Sequence, residues 1–445
     1  MATTFRALAA SVILICGTSA RAQSLEWAQQ FGTVAIDHAA SVVADTWGNI
    51  YVSGSTLGDL AGPNAGEFDA YVAKYDAAGG HQWTRQFGTD ATDLGAVVSL
   101  DAVGNIYVSG PTDGSLQDMS SGGTDFYVRK YDAAGGHQWT RQFGTDATSE
   151  IFGGASTDGS GNTYLVGTTS GSLGEPNSGI SDAFVRKYDS AGNLQWTRQF
   201  GTDTYDWGES VFADHLGSVY VTGATAGALD GTNAGNQDVF VRKYDSAGNL
   251  EWTRQFGSSD TDNGSHTSVD ALGNLYISGT TFSSFGGTNA GRTDAFLTKY
   301  SAAGDVNWIR QFGTDTYDVG GGVITDNYGH VLVTGYTSGS LDGENIGHTD
   351  VYVRRYSDAG DLQWSHQFGT NARDEIQPYG SSISSDELGN IYVSGQTNGV
   401  LSGQFSGLSD AFLVKFSYAV PEPGCLSIAL PSVVALGVMA TRRGR

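Results

Sequence analysis

Seven tryptophans recur at an almost constant interval, Trp27, Trp83, Trp139, Trp196, Trp252, Trp308 and Trp364, with steps of 56, 56, 57, 56, 56 and 56 residues. Each opens a version of W-x-R-Q-F-G, as in Trp83-Thr84-Arg85-Gln86-Phe87-Gly88 and Trp196-Thr197-Arg198-Gln199-Phe200-Gly201. A period of this size means that one supersecondary unit is copied, each copy burying its apolar face against the next. The length of 445 residues, which alone would suggest two or three domains, therefore describes one array.

Within one unit the pattern is that of strands. Ala40 to Ala44 is short and apolar, and Ile50-Tyr51-Val52-Ser53-Gly54 is β-branched and aromatic. A Gly/Asn-rich loop from Leu57 to Phe68 leads to Asp69-Ala70-Tyr71-Val72-Ala73-Lys74-Tyr75, in which Tyr71 and Tyr75 alternate with Val72 and Lys74. Gln82 to Phe87 is the fourth strand, and glycines mark the short turns. Nothing in the repeat region sustains a 3.6-residue period, and parallel β-helix coils are much shorter than this repeat. The expected fold is all-β, a seven-bladed β-propeller of four-stranded antiparallel blades. Its third strand D-A-[FY]-[VL]-x-[KR]-[YF], followed by W-T-R-Q-F-G, resembles the SBBP repeats of seven-bladed propellers in bacterial secreted proteins; that likeness implies fold and hardly any activity.

The parts count to seven. A turn Asp follows the first strand at Asp45, Asp101, Asp158, Asp214, Asp270, Asp326 and Asp386. Another Asp opens the third strand at Asp69, Asp125, Asp182, Asp238, Asp294, Asp350 and Asp410. No Trp strand follows Asp410 to Phe416, whereas Leu25 to Phe31 stands alone before the first unit. The N-terminal strand should complete the last blade and so remove the exposed sheet edges.

The two ends carry other signals. Arg6, an apolar stretch from Ala7 to Cys16, and Ala20-Arg21-Ala22 read as a signal peptide over residues 1–22, cleaved after Ala22. The propeller would span residues 23–418. Residues 419–445 contain Pro421, Glu422 and Pro423, an 18-residue stretch from Gly424 to Thr441 at the lower limit for a membrane span, and Arg442-Arg443-Gly444-Arg445. That order resembles the PEP-CTERM sorting signal, which implies processing by an exosortase, transient membrane anchoring, and a cell-envelope or extracellular destination linked to exopolysaccharide or biofilm. Both cysteines, Cys16 and Cys425, lie in these ends, so no disulfide can brace the repeats.

With 23 Lys and Arg against 47 Asp and Glu, the net charge of -24 argues against nucleic acid as a partner. The D-x-x-G-N turns have a structural explanation, an Asp side chain accepting backbone N–H groups two or three residues on while Gly-Asn takes the left-handed conformation. The third-strand Asp should tie the long loop to a neighbouring blade, and the basic residue five positions on is an ion-pair or solvated position. After W-x-R-Q-F-G stand carboxylate pairs, Asp203 with Asp206 and Asp315 with Asp318 among them. Such pairs could ligate calcium, although capping is the simpler reading and no EF-hand loop is present.

No G-x-S-x-G, H-E-x-x-H or usable Cys is found, so no catalytic residue, cofactor or metal is assigned. Departures from the repeat are few: Trp207, His266 and Arg373-Asp374-Glu375. The leading expectation is a noncatalytic, exported propeller scaffold that presents loops to extracellular polysaccharide or a surface protein. The alternative is a propeller enzyme of lyase or glycosidase type with its site at the channel mouth. It would require His, Glu, Tyr and Arg clustered on one face of nonequivalent blades, and the sequence shows no such cluster.

Overall fold

The computed structural model describes residues 24–417, apart from 118–119, 148–149, 216 and 378–379. The expected signal peptide with Ala22, and the tail with Pro421, Glu422, Pro423 and its apolar segment, lie outside the described residues. No helix among the described residues is long and apolar enough to cross a membrane.

The described residues form seven antiparallel sheets and no helix. Blade 1 runs from Asp37 to Phe87, blade 2 from Val97 to Phe143, and blade 3 from Glu150 to Phe200. Blade 4 covers Asp206–Phe256, blade 5 Asp262–Phe312 and blade 6 Asp318–Phe368. Blade 7 takes its inner strands from Asp374–Ser417 and its outermost strand from Ser24–Phe31. The N-terminal strand pairs antiparallel with Asp410–Ser417, Ser24 opposite Ser417 and Phe31 opposite Ala411. The expected closure is observed.

The alternation in the third strand has a simple cause: both of its faces are buried, each against a different neighbour. Tyr71, Ala73 and Tyr75 pack with Tyr392, Ala411 and Leu413 of blade 7. Ala70 and Val72 pack with Val108, Tyr127 and Tyr131 of blade 2. Each of the seven blade boundaries has one such apolar cluster among the described residues. Fully burying a Tyr- or Phe-sized side chain contributes about 1.5–3 kcal/mol, so the core is a ring of seams rather than one central mass.

Polar groups of the repeat stitch these seams. Arg85 donates Nε–H to the Gly135 carbonyl in the next blade at 3.0 Å, with its guanidinium over the Trp83 ring. Gly135 needs its φ of +80°, and a Cβ there would meet the Trp83 ring at 3.1 Å. Arg141, Arg198, Arg254 and Arg310 repeat the contact on Gly192, Gly248, Gly304 and Gly360. The third-strand lysines divide: Lys130 and Lys187 are buried and donate to the carbonyls of Ser190 and Ser246 across the next boundary, at 2.9 and 3.0 Å, whereas Lys243, Lys299 and Lys415 form the expected ion pairs, with Glu251, Asp358 and Glu26.

First strands line the axis. A channel cavity of about 230 Å³ touches Val42, Val97, Ser156, Val211, His266, Val323 and Ile383, one residue from each blade. Blade 7 is irregular here: its first strand is split into Asp374–Glu375 and Ile383–Ser385. Between them Gly380 lies so close to the Ala40 and Ala96 carbonyls that a Cβ would sit 2.6 and 2.4 Å from them. Gly380 of blade 7 therefore packs against blades 1 and 2.

Candidate functional site

Antiparallel blades give the ring two unlike faces. Connections between first and second strands, and between third and fourth, lie on one face, the turn face. Those between second and third strands, and from one blade to the next, lie on the other, the loop face.

On the turn face the D-x-x-G-N turn is closed by its own Asp. Asp45 Oδ1 accepts the N–H groups of Trp47 and Asn49 at 3.0 and 2.8 Å, and Oδ2 accepts Asn49 Nδ2 at 2.7 Å. The donors are thus two and four residues on, not two or three. Only Gly48 of the Gly-Asn pair takes a positive φ, of +81°. Asp101, Asp158, Asp270 and Asp386 repeat the arrangement.

On the loop face the third-strand Asp also serves structure, but within its own blade rather than toward a neighbour. Asp238 Oδ2 accepts Ala234 N–H of the preceding loop at 2.8 Å and Gln255 Nε2 of the fourth strand at 3.0 Å. The invariant Gln of W-x-R-Q-F-G is explained in the same stroke, because Gln255 Oε1 accepts Leu229 N–H of that loop at 2.7 Å. In blade 7 the N-terminal strand supplies this group: Gln30 reaches Asp410 at 2.8 Å and the Gly399 carbonyl at 3.0 Å.

The carboxylate pairs considered for calcium are divided between two environments. Asp206 and Asp318 are fully buried, and each Oδ2 accepts a backbone N–H and a hydroxyl, from Thr202 and Thr314, at 2.6–2.9 Å. Their partners Asp203 and Asp315 are exposed. Burial pushes the Asp206 carboxyl above the usual range, against the hydrogen bonds that stabilise its charge. Among the described residues no three His, Cys, Asp or Glu come close enough to hold a metal ion.

The loop face departs from sevenfold symmetry at the channel mouth. A cavity of about 480 Å³ opens at the channel mouth between blades 3 and 6, lined by Ile151, Phe152, Trp207, Glu209, Asn263, Phe282 and Tyr317. A second basin of about 250 Å³, with Leu94, Pro111 and Glu150, shares Ile151 and Phe152 with it. The two form a groove with an apolar ridge between them. Trp207 stacks on Tyr205, ring centroids 5.4 Å apart and planes 7° from parallel. Tyr205, Phe282 and Tyr317 are all exposed. At the rim the Arg292 guanidinium lies 5.1 Å over the Tyr317 ring and donates to its hydroxyl at 2.8 Å.

Trp207, Glu209 and Phe282 each occur in one blade, whereas Tyr205 and Tyr317 share one repeat position. Where Trp207 stands, the other blades have His38, Leu94, Ile151, Asn263, Val319 and Glu375. Where Glu209 stands they have Ala40, Ala96, Gly153, Ser265, Gly321 and Gln377. Glu209 occupies a β-bulge, the register shifting between Gly208 and Ser210; a bulge lifts a residue out of the ladder and re-aims its side chain. Loss of hydration pushes its carboxyl up to about 8, so the group is a proton donor at neutral pH.

Of the residues singled out from sequence, Trp207 reaches the mouth, whereas His266 lies on the channel wall. Desolvation lowers the His266 imidazole to about 4, and its Nδ1 faces Val323 N–H at 3.5 Å. Arg373 is held in an ion pair with Glu375 at 2.6 Å, and Asp374 caps Thr370. Glu209, Asn263, Phe282 and Tyr317 were missed. Their signal was present as departures from the repeat, but only the fold shows that they converge.

Comparison with known proteins agrees with this architecture. Residues 26–61, 195–229, 251–286 and 363–402 match the SBBP beta-propeller repeat. The chain carries SBBP propeller repeats. It is similar to the regulatory protein FlaEY of Caulobacter vibrioides, 27% identical over 241 residues, which cover 45% of this chain and 25% of that protein. It is also similar to an uncharacterized WD repeat-containing protein of Acanthamoeba polyphaga mimivirus, 20% identical over 76% of this chain and 34% of that protein. The chain thus matches a quarter to a third of the length of these curated relatives. Among solved structures, the propeller domain of the trilobed protease from Pyrococcus furiosus aligns with a TM-score of 0.48 and 7% identity, over 85% of this chain and 93% of that one. An ulvan-type polysaccharide lyase aligns with a TM-score of 0.44 and 14% identity, over 82% and 93%.

Proposed function

We propose that this propeller is a noncatalytic, exported binding protein that meets extracellular polysaccharide or a surface protein through the mouth of its loop face. One observation carries the reading: Trp207, Glu209 and Phe282, each a departure confined to one blade, line one cavity together with the exposed Tyr317. Its volume is in the range of small-ligand sites, and mixed aromatic and polar walls are what such sites use. The proposed destination, cell envelope or medium after exosortase-type processing near Pro421-Glu422-Pro423, rests on the two ends of the sequence. A glycan and surface-protein array probed with the full chain tests the function. Binding to some of these ligands that disappears in Trp207→Ala is expected; binding unaffected by that change would place the interface elsewhere.

A lyase or glycosidase remains the second reading, because Glu209 supplies one proton donor at the mouth. Hydrolysis by the usual two-carboxylate route needs a second free carboxyl nearby. Glu150, which borders the adjoining basin, accepts from the Thr145 and Thr169 hydroxyls, and so favours binding over turnover. New reducing ends or unsaturated sugars released from a bound polysaccharide would reverse that preference.

A further inference from the structure

We infer that the groove at the channel mouth takes a neutral oligosaccharide of two or more units, one pyranose ring lying on the Trp207 ring, which Tyr205 backs, while Glu209 hydrogen-bonds to hydroxyl groups. The inference rests on the proposed role of this mouth in binding and adds the ligand class.

Four observations bear on it. First, Trp207 lines the cavity and its ring is held in a near-parallel stack on Tyr205, planes 7° apart, which makes it a flat aromatic platform in the wall. The C–H faces of a pyranose suit such a surface, since they release water from apolar area while the equatorial hydroxyls point outward. Second, the platform is accompanied by hydrogen-bonding groups, Asn263, Ser265 and Thr280, in the same cavity. Polar groups placed beside an apolar wall select a ligand that has both characters.

Third, the two basins meet at Ile151 and Phe152, so a ligand that fills one abuts the other. A chain molecule of repeating units fits that layout better than a compact one. Fourth, the charge is wrong for a polyanion. Asp90, Asp203 and Asp315 are exposed on the blade connections of this face, and the chain as a whole carries a net charge of -24. Arg292 is occupied by the ring and hydroxyl of Tyr317. Glu209 adds no negative charge at neutral pH, its carboxyl being held protonated up to about 8 by desolvation, and a protonated carboxyl both donates to and accepts from sugar hydroxyls.

The test is a titration of the full chain with cellohexaose, mannohexaose and xylohexaose as neutral probes and hexagalacturonate as the acidic one, followed by tryptophan fluorescence and calorimetry. At least one neutral hexasaccharide should bind, hexagalacturonate should bind at least about tenfold more weakly, and Trp207→Ala should weaken the neutral ligand by at least about tenfold. Glu209→Gln keeps a donor and an acceptor and should stay within a few-fold of the parent, whereas Glu209→Ala should lose affinity. Tighter binding of hexagalacturonate, or an unchanged affinity in Trp207→Ala, overturns the inference. Failure of all four sugars also overturns it; the broader binding role then stands or falls separately, on whether Trp207→Ala abolishes capture of a surface protein on the array.

Discussion

The two faces of the ring are built from the same repeat, yet they differ in what repetition has preserved. On the turn face, Asp45, Asp101, Asp158, Asp270 and Asp386 make nearly superimposable hydrogen bonds. The turns serve the blade and carry no distinction between blades. On the loop face the caps are just as regular, but blades 4 and 5 introduce Trp207, Glu209 and Phe282, found at these positions in no other blade, around one opening. In a chain of copies, identity between units marks what folding requires. A difference confined to neighbouring units marks where something else has been added.

That contrast can be broken most severely at the closure. Deleting residues 23–31 removes Gln30 from Asp410 and Trp27 from Gly79 and Tyr392. Truncating one such Trp costs about 3–5 kcal/mol, and an open sheet edge comes in addition. The deletion should not give a stable fold; a melting temperature within two degrees of the parent would show that the seventh blade does not depend on this strand.

The next loss falls on a cap on the structural side of the comparison. Asp238→Ala leaves Ala234 N–H without its acceptor and takes one bond from Gln255. Ala234 N–H is partly exposed and Gln255 keeps its bond to the Gly227 carbonyl, so a loss of about 1–2 kcal/mol in urea unfolding is expected, with ligand binding at the mouth unchanged in the folded fraction. A loss under about 0.5 kcal/mol, the level of an ordinary surface change, would remove the Asp from the load of the fold.

Glu209 should behave in the opposite sense. Its folded pKa of about 8 lies above the ordinary 4.5. The corresponding stability is therefore fully present below pH 4.5 and is lost as pH rises through 8. Glu209→Gln should melt with the parent at pH 4 and be more stable at pH 9, by about 1–3 kcal/mol after allowance for residual hydration. Equal stability at both pH values would mean that the carboxyl is not desolvated.

Smaller still is the expected cost of Trp207→Ala to folding. Its ring lies on the exposed Tyr205 at the cavity, so a change under about 1 kcal/mol is expected from surface behaviour, alongside loss of binding. A core-sized loss of about 3 kcal/mol or more would make the tryptophan structural.

Calcium should have the least effect. The Oδ2 atoms of Asp206 and Asp318 already accept from Thr202 and Thr314, and among the described residues no three carboxylates or imidazoles converge on one ion. Millimolar calcium should move the melting temperature by less than about one degree. A larger rise that is abolished by Asp203→Asn would restore the loop pairs as ligands.

Sequence alone determined the number of blades, the four strands of each and the strand exchange. Seven copies report the same local constraints, and strand periodicity and turn chemistry act over a few residues. The purpose of the Asp turns was legible for the same reason, apart from the register of their donors. The partners of the third-strand Asp were not: Asp238 meets Gln255 only once the third and fourth strands pair. Still less could the sequence show the mouth. Trp207, Asn263, Phe282 and Tyr317 are spread over 110 positions in three blades, and only ring closure, which turns each inner strand toward one axis, brings them to a single cavity. Even the acidity of Glu209 is a tertiary property, because a carboxyl loses its water to neighbours that the chain alone does not name.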